Sequence, residues 1–446
     1  MYDELRKHGT RLVLIACCLA ILSIGENSTA IMAALPAMAS SLRMRPATVE
    51  WAVNAYLLAS AVFIIMGGEV ADLFGARRSS AAGCVLFALA SLMMVVAPNG
   101  IVVVGARALQ GLGAAFAVAG TLAAATQAVP EAERAKAVGA WTGFLLLGFS
   151  IGPLVGGVVT HYAGWRVNFA LTGLAILPAG LVLWLHSGAG GRQAKRIDWL
   201  GLGLLAFFMV LLTSGLHALA DVRSAPLIAI VPLVLAAITF CAVIWAERRH
   251  PRPLLDFALF GNSNFALGCA LAFLLMFDIM ALLLYYNLFA QSPDGLGMTA
   301  VAAGLSLAPL SVALFAFARA AHRLAPAIGL RTMMAAGSLL LIAGCTIAGA
   351  SFADAGFVML LLGLFAIGAG IALPYASAPH IALAALPPTQ AGKGSGIVNS
   401  CSFLGGTVGV TCGGIVFAAA GFSEVLVLVG LSAVLIAGLS LRLRAA

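Results

Sequence analysis

Gly148-Phe149-Ser150-Ile151-Gly152-Pro153-Leu154-Val155-Gly156-Gly157 places glycines every four residues along an apolar stretch and interrupts them with one proline. The same four-residue glycine spacing returns at Gly405, Gly409 and Gly413, 257 positions later. Glycines four apart share one face of a helix and let a neighbouring backbone come close, and a proline inside the helix withdraws one donor and permits a bend. Plain helix packing accounts for such a face; the added Pro153 and the repeat point further, to a hinge formed by Gly148, Gly152, Pro153, Gly156 and Gly157.

Two other features recur at nearly the same distance. Glu26 and Asp278, acids inside apolar runs, are 252 apart, and Gly75-Ala76-Arg77 returns as Gly329-Leu330-Arg331 after 254. The surroundings explain what is being repeated. Of 446 residues, 62% are hydrophobic and 9% charged, with a mean hydropathy of +1.08. Soluble domains spend about a quarter of their residues on charge, so a water-facing globule is excluded. About 20 helical residues cross a bilayer core, and fourteen apolar runs of that size lie between 12–38 and 423–441. They do not alternate as barrel strands do. The repeat distance equals eight runs. Two six-helix halves separated by a two-helix insertion at 197–246 give that distance, so the expected fold is all-α and membrane-spanning. The expected segments are 1–190, 191–255 and 256–446.

Nineteen of the 24 Lys and Arg residues fall on the side that holds both termini, and four, Arg43, Arg45, Arg166 and Arg223, fall on the other. Cytoplasmic loops carry the basic excess, so both termini are expected in the cytoplasm, in an inner (plasma) membrane. The net charge of +8 is scattered between apolar runs rather than gathered on one face, and nucleic acid is not an expected partner. The eight cysteines lie in apolar stretches without Cys-x-x-Cys spacing and read as packing residues. No G-x-x-x-x-G-K-[ST] loop or His-Glu-x-x-His is present, and the Gly-x-Ser-x-Gly at Gly148–Gly152 lies inside an apolar span with no paired His motif. No cofactor, metal or enzymatic activity is therefore expected, and ATP is not the direct driver.

Charges inside spans are costly and need a use. At 1.5 Å per residue, Glu26, Arg107 and Asp278 fall at one depth, about 21 Å from the cytoplasmic side. A static ion pair between Glu26 and Arg107 is one reading, and control of a proton-carrying Glu26 by Arg107 is the other. Asp278 has no basic residue nearby in sequence, which suits a proton carrier. Aromatic side chains, with Tyr56, Tyr286 and Tyr375 foremost, either pack or line a cavity for greasy organic compounds.

Gly68-Glu69-Val70-Ala71-Asp72-Leu73-Phe74-Gly75-Ala76-Arg77-Arg78 resembles the loop motif of the major facilitator superfamily, G-x-L-A-D-R-x-G-R-R/K. Arg107-Ala108-Leu109-Gln110-Gly111-Leu112-Gly113 resembles that family's R-x-x-Q-G-x-G, and the opening stretch is similar to its antiporter motif. With fourteen spans, the chain is similar to the drug:proton antiporter branch of EmrB/QacA type. The family's first-span acid falls on Asn27, with Glu26 beside it, and Leu73 and Ala76 replace two basic residues of the loop. The resemblance implies proton-coupled export of amphipathic organic compounds by a monomer, with Asn27, Tyr56, Gln110, Tyr286 and Tyr375 facing the substrate. It further implies a cytoplasmic latch in which Asp72, held by Gly68, Gly75, Arg77 and Arg78, docks near Lys393 at the start of the thirteenth helix. An exporter of one sugar or amino acid in the same superfamily is the alternative.

Overall fold

The computed structural model describes every residue except Met1, 188–197, 222–225, 252, 353–355, 376, 388–389 and 444–446. The expected boundary at 190/191 and the basic residues Arg192, Lys195, Arg196, Arg223, Arg252 and Arg444 lie outside the described residues. The described residues contain helices and no strand. Fourteen stretches among them are long and apolar enough to cross a membrane.

The chain forms two compact units, Met1–Ile197 and Asp198–Ala446. The first contains α1 (Tyr2–Leu42), α2 (Pro46–Phe74), α3 (Ala76–Val96), α4 (Gly100–Ala128), α5 (Arg134–Ala163) and α6 (Trp165–Leu185). The second opens with α7 (Trp199–His217) and α8 (Pro226–Arg249) and continues with α9 (Ser263–Gln291), α10 (Ala300–Ser306) and α11 (Ala308–Ile328). It closes with α12 (Leu330–Ala350), α13 (Gly356–Tyr375), α14 (Ala378–Ala384), α15 (Ala391–Ala420) and α16 (Phe422–Ser440). Two spans are broken helices. A proline in the first turn of α11 and of α14, Pro309 and Pro379, has no N–H to give the preceding helix and starts a new one.

In the first unit α1 packs on α5 and α6, α2 on α4, and α3 on α4 and α6. In the second unit α9 packs on α15 and α16, α11 on α13, and α12 on α13 and α16. The five pairings are the same, helix for helix, once α7 and α8 are skipped. Those two pack on each other, and α7 leans on α15. The fold is therefore two six-helix bundles plus a helix pair.

Glycine sets the register of both bundles. A Cβ at Gly148 would stand 2.5 Å from the Leu22 carbonyl and one at Gly152 2.6 Å from that of Glu26, while Gly156 abuts Ala30. In the second bundle Gly405 abuts Phe273, Gly409 abuts Phe277, and a Cβ at Gly413 would meet the Ala281 Cβ at 3.3 Å. At the first five the obstacle is backbone, so no larger residue permits the approach; at Gly413 it is the Tyr285 ring and the Ala281 side chain. The contacts also fix the correspondence between α1 and α9, and it differs by one residue from the match of Glu26 with Asp278. Leu22, Glu26 and Ala30 stand against Phe273, Phe277 and Ala281, so Asp278 occupies the place of Asn27. The loop glycines Gly75 and Gly329, at φ 94° and 81°, turn the chain alike into α3 and α12.

Candidate functional site

In the first unit the site is built around Arg107, whose side chain is fully buried. Its Nη1 donates to Asn27 Oδ1 at 2.7 Å and to Gln110 Oε1 at 2.8 Å, and its Nε donates to the Ala52 carbonyl at 3.0 Å. The guanidinium carbon lies 4.3 Å from the centre of the Tyr56 ring, within cation–π range. Gln110 donates onward to Ser91 Oγ at 2.8 Å, and Ser28 donates to the Tyr56 hydroxyl at 2.9 Å. Arg107 thus stands level with the Glu26–Asn27 turn, as the depth arithmetic requires. Its partner is Asn27, however, and not Glu26. Adjacent residues point about 100° apart around a helix, and Glu26 turns towards α6, where Thr172 Oγ1 donates to its Oε2 at 3.1 Å. The ion-pair reading of Glu26 and Arg107 is therefore replaced by two separate clusters. Among the described residues, Arg107 has no carboxylate partner, and its Nη2, the Asn27 Nδ2 and the Glu26 Oε1 have no hydrogen-bond partner.

In the second six-helix bundle the buried acid stands without a basic side-chain partner among the described residues. Asp278 is fully buried on α9, and Ser432 Oγ on α16 donates to its Oδ2 at 2.9 Å while Oδ1 has no partner among the described residues. Close approaches between helices show what has replaced the network of the first unit. Gly111 abuts Tyr56 and Gly368 abuts Leu310; Gly83 meets Gly113 and Gly337 meets Gly370. By that register Leu364 stands for Arg107, Ile367 for Gln110, Cys345 for Ser91 and Leu310 for Tyr56.

The expected substrate-facing residues divide between the units. Asn27, Tyr56 and Gln110 are brought together as partners of Arg107. Tyr286 is buried and shares a 2.5 Å hydrogen bond with Ser306, and Tyr375 is half-buried near Ser402. Of the expected latch, Gly68 faces open space and Asp72 is exposed in the last turn of α2. Arg78 is also exposed. Arg77 Nη1 donates to the His186 carbonyl at 2.6 Å, closing the C-terminal end of α6, and Arg331 Nη2 donates to the Leu443 carbonyl at 2.5 Å beyond α16. A cation at a helix C-terminus meets the negative end of its dipole. Lys393, exposed near the start of α15, donates to the Pro253 carbonyl at 3.4 Å.

Pro153 in α5 leaves the Phe149 carbonyl without its helical donor. Thr29 of α1 supplies one at 3.0 Å. Gly152, Gly156 and Gly157 are buried around it, Gly152 and Gly156 against the α1 backbone.

Two packed six-helix bundles, each with a charged side chain buried at mid-span and neither with a counter-ion among the described residues, define a polytopic membrane carrier. The chain belongs to the major facilitator superfamily, whose model matches residues 15–328. It is 32% identical over 92% of its length to the multidrug resistance protein Stp of Mycobacterium tuberculosis, covering 76% of that protein. The tetracenomycin C resistance and export protein of Streptomyces glaucescens is 28% identical, with 91% of this chain and 75% of that one covered. The quinolone resistance protein NorB of Staphylococcus aureus is 27% identical, over 92% and 89%. Among solved structures, the partially occluded inward-open xylose transporter XylE of E. coli superposes with a TM-score of 0.70 at 14% identity, over 98% of this chain and 100% of that one. The chain is a multi-pass membrane transporter of small organic compounds.

Sequence reasoning missed Thr172, Ser432 and Ser91. A hydroxyl inside a span ordinarily bonds its own helix backbone, so nothing marks it as a partner. The usable signal was positional: Gly164 and Gly421, at φ 84° and 99°, open α6 and α16, and counting from them puts Ser432 one turn past the place of Thr172.

Proposed function

We propose that this transporter exports amphipathic organic compounds, drugs and toxins among them, by alternating access and in exchange for protons. One observation carries the reading. Among the described residues each bundle holds one carboxyl buried at mid-span, Glu26 or Asp278, with one oxygen held by a hydroxyl and the other without a hydrogen-bond partner. A permanently ionised carboxylate so placed costs several kcal/mol, whereas a group that takes up and releases a proton occupies the site at a smaller cost. The resistance names of the three relatives support export of drugs.

In this reading Asn27, Tyr56 and Gln110 around Arg107, with Tyr286 and Tyr375, face the substrate. The glycine face with Pro153 is the hinge. Asp72, Gly68, Gly75, Arg77, Arg78 and Lys393 serve the cytoplasmic latch. The segments are 1–190, 191–255 and 256–446; the protein works as a monomer in the plasma membrane, with both termini in the cytoplasm. A reporter fused after Ala446 is then cytoplasmic and one in the 220–225 loop external; both on one side would remove that orientation.

The deciding experiment is proton flux in proteoliposomes under an imposed pH gradient, with a panel of cationic, neutral and anionic compounds. Proton movement driven by several unrelated amphipathic compounds is expected. Flux with a single sugar or amino acid would establish the specific metabolite exporter instead, and transport indifferent to the gradient would remove proton coupling.

A further inference from the structure

Both buried carboxyls are held in the same way, by residues that no motif marks. Thr172 lies on α6 and Ser432 on α16, the last helix of each bundle, and each donates to the acid on the first helix, at 3.1 and 2.9 Å. We infer that Thr172 and Ser432 are the positioning residues of the two proton sites, so that each proton is held between the first and last helices of its bundle rather than by a lone acid. This rests on the reading above that Glu26 and Asp278 carry protons.

The chemistry of the hydroxyl gives the arrangement its use. A threonine has one O–H to donate and lone pairs to accept. The Thr172 oxygen lies 3.1 Å from Glu26 Oε2 and 2.9 Å from the carbonyl of Asn168, one turn back on its own helix. With Glu26 ionised, the hydroxyl hydrogen goes to the carboxylate, the stronger acceptor. When a proton arrives, the new carboxylic O–H donates to the Thr172 oxygen, and the hydroxyl hydrogen returns to the Asn168 carbonyl. No bond beyond these hydrogen bonds is made or broken. The last helix thereby gains or loses a bond with its own backbone as the acid titrates. Its cytoplasmic end is tied by Arg77 in one bundle and by Arg331 in the other, so a change at mid-helix meets a fixed end.

Other ionisable groups are few. Of the helices packed on α1, α4 presents Arg107, engaged with Asn27, and α2 presents Tyr56, engaged with Ser28, while Glu50, Glu69 and Asp72 of α2 lie near its two ends. Those of α5 (Arg134, Lys136, His161, Tyr162) and of α6 (Arg166) lie within four residues of the helix ends, and His186 caps α6. The Cys345 thiol of α12 lies within electrostatic reach of Asp278. Lys393, Cys401 and Cys412 on α15, Glu424 on α16, His380 on α14 and Tyr375 on α13 complete the set on the helices packed against α9.

The test is pH-difference infrared spectroscopy of the full chain in lipid nanodiscs, which reads the carboxylic C=O stretch and needs no substrate. Glu26→Gln and Asp278→Asn assign the two bands by deleting them. Thr172→Val is expected to move the Glu26 band to higher frequency, as a hydrogen bond is lost. Its titration midpoint is expected about one pH unit above the parent's, because the ionised form loses a charge-assisted donor. Thr172→Ser, which keeps the hydroxyl, restores both. Ser432→Ala acts in the same way on the Asp278 band, and Ser432→Thr restores it. Bands and midpoints unchanged in Thr172→Val and Ser432→Ala, while Glu26→Gln and Asp278→Asn still delete them, would overturn this inference and leave proton carriage standing. Failure of either acid to give a titrating band would remove proton carriage, and this inference with it.

Discussion

The two six-helix bundles share five helix pairings and a glycine register, yet the first buries a base as well as an acid and the second an acid without a base among the described residues. The first buries a guanidinium whose nearest side-chain partners are amides, Asn27 and Gln110, with the acid Glu26 turned to another helix. The second buries an acid, Asp278, where the first has Asn27, and fills the places of Arg107 and Gln110 with Leu364 and Ile367. Backbone contact is therefore indifferent to which charge the bundle holds. Glycine fixes how closely the helices approach, and the polar residues on the scaffold are free to differ.

The largest expected effect comes from removing the carboxyls. Glu26→Gln with Asp278→Asn should bring gradient-driven export to the level of empty liposomes while the protein remains folded in the membrane. Each single exchange shows whether the bundles contribute equally. Full gradient-driven transport by the double variant would leave both acids as structural or substrate-selecting groups.

Next come the glycines, where the bundles are alike. Gly152→Val and Gly409→Val each place a side chain against the backbone of the first helix of their bundle. Each should cost about 1–3 kcal/mol or more through overpacking, read as lower yield and melting temperature in detergent. Gly68→Ala, facing open space, should leave both measures unchanged. A large loss at one glycine and none at the other would break the common register.

A smaller effect sharpens the contrast in charge. Asn27→Asp sets a carboxylate against Arg107 Nη1, where the amide oxygen now lies at 2.7 Å. The lone guanidinium gains a counter-ion, and stability should rise by about 1–3 kcal/mol. An unchanged melting temperature would mean that Arg107 is already neutralised. The smallest effect is expected at the helix ends. Arg77→Gln and Arg331→Gln should each cost about 0.3–1 kcal/mol of helix-terminal stabilisation and reduce protection of the last turn of α6 or α16 in hydrogen exchange. Unequal losses would show that the two tethers differ in weight.

Much of this was legible in the sequence. Fourteen apolar runs, one repeat distance and the basic asymmetry rest on long, redundant patterns, and the two bundles and the helix pair follow from them. The level of Arg107 was legible because helical rise is constant. Its partner was not, since Glu26 and Asn27 are neighbours in sequence and point to different helices, and depth arithmetic carries no information about azimuth. The match of Glu26 with Asp278 slipped by one residue for the same reason: two acids near one offset look equivalent until backbone contacts fix the register. Thr172 and Ser432 were invisible because a single hydroxyl in an apolar span has no pattern of its own.

The bond between Thr29 and the carbonyl that Pro153 leaves open makes two residues on different helices dependent on each other's history. Replace Pro153 alone, and the carbonyl regains a helical donor, while the Thr29 hydroxyl keeps the Glu26 carbonyl of its own helix, 3.4 Å away, as an acceptor. Replace Thr29 alone, and the carbonyl is stranded. The second bundle has neither residue, with Met280 and Val410 at the corresponding positions. Drift between the two states is thus one-way in its order, proline first and threonine second, so Thr29 is held in place for as long as Pro153 stands beside it.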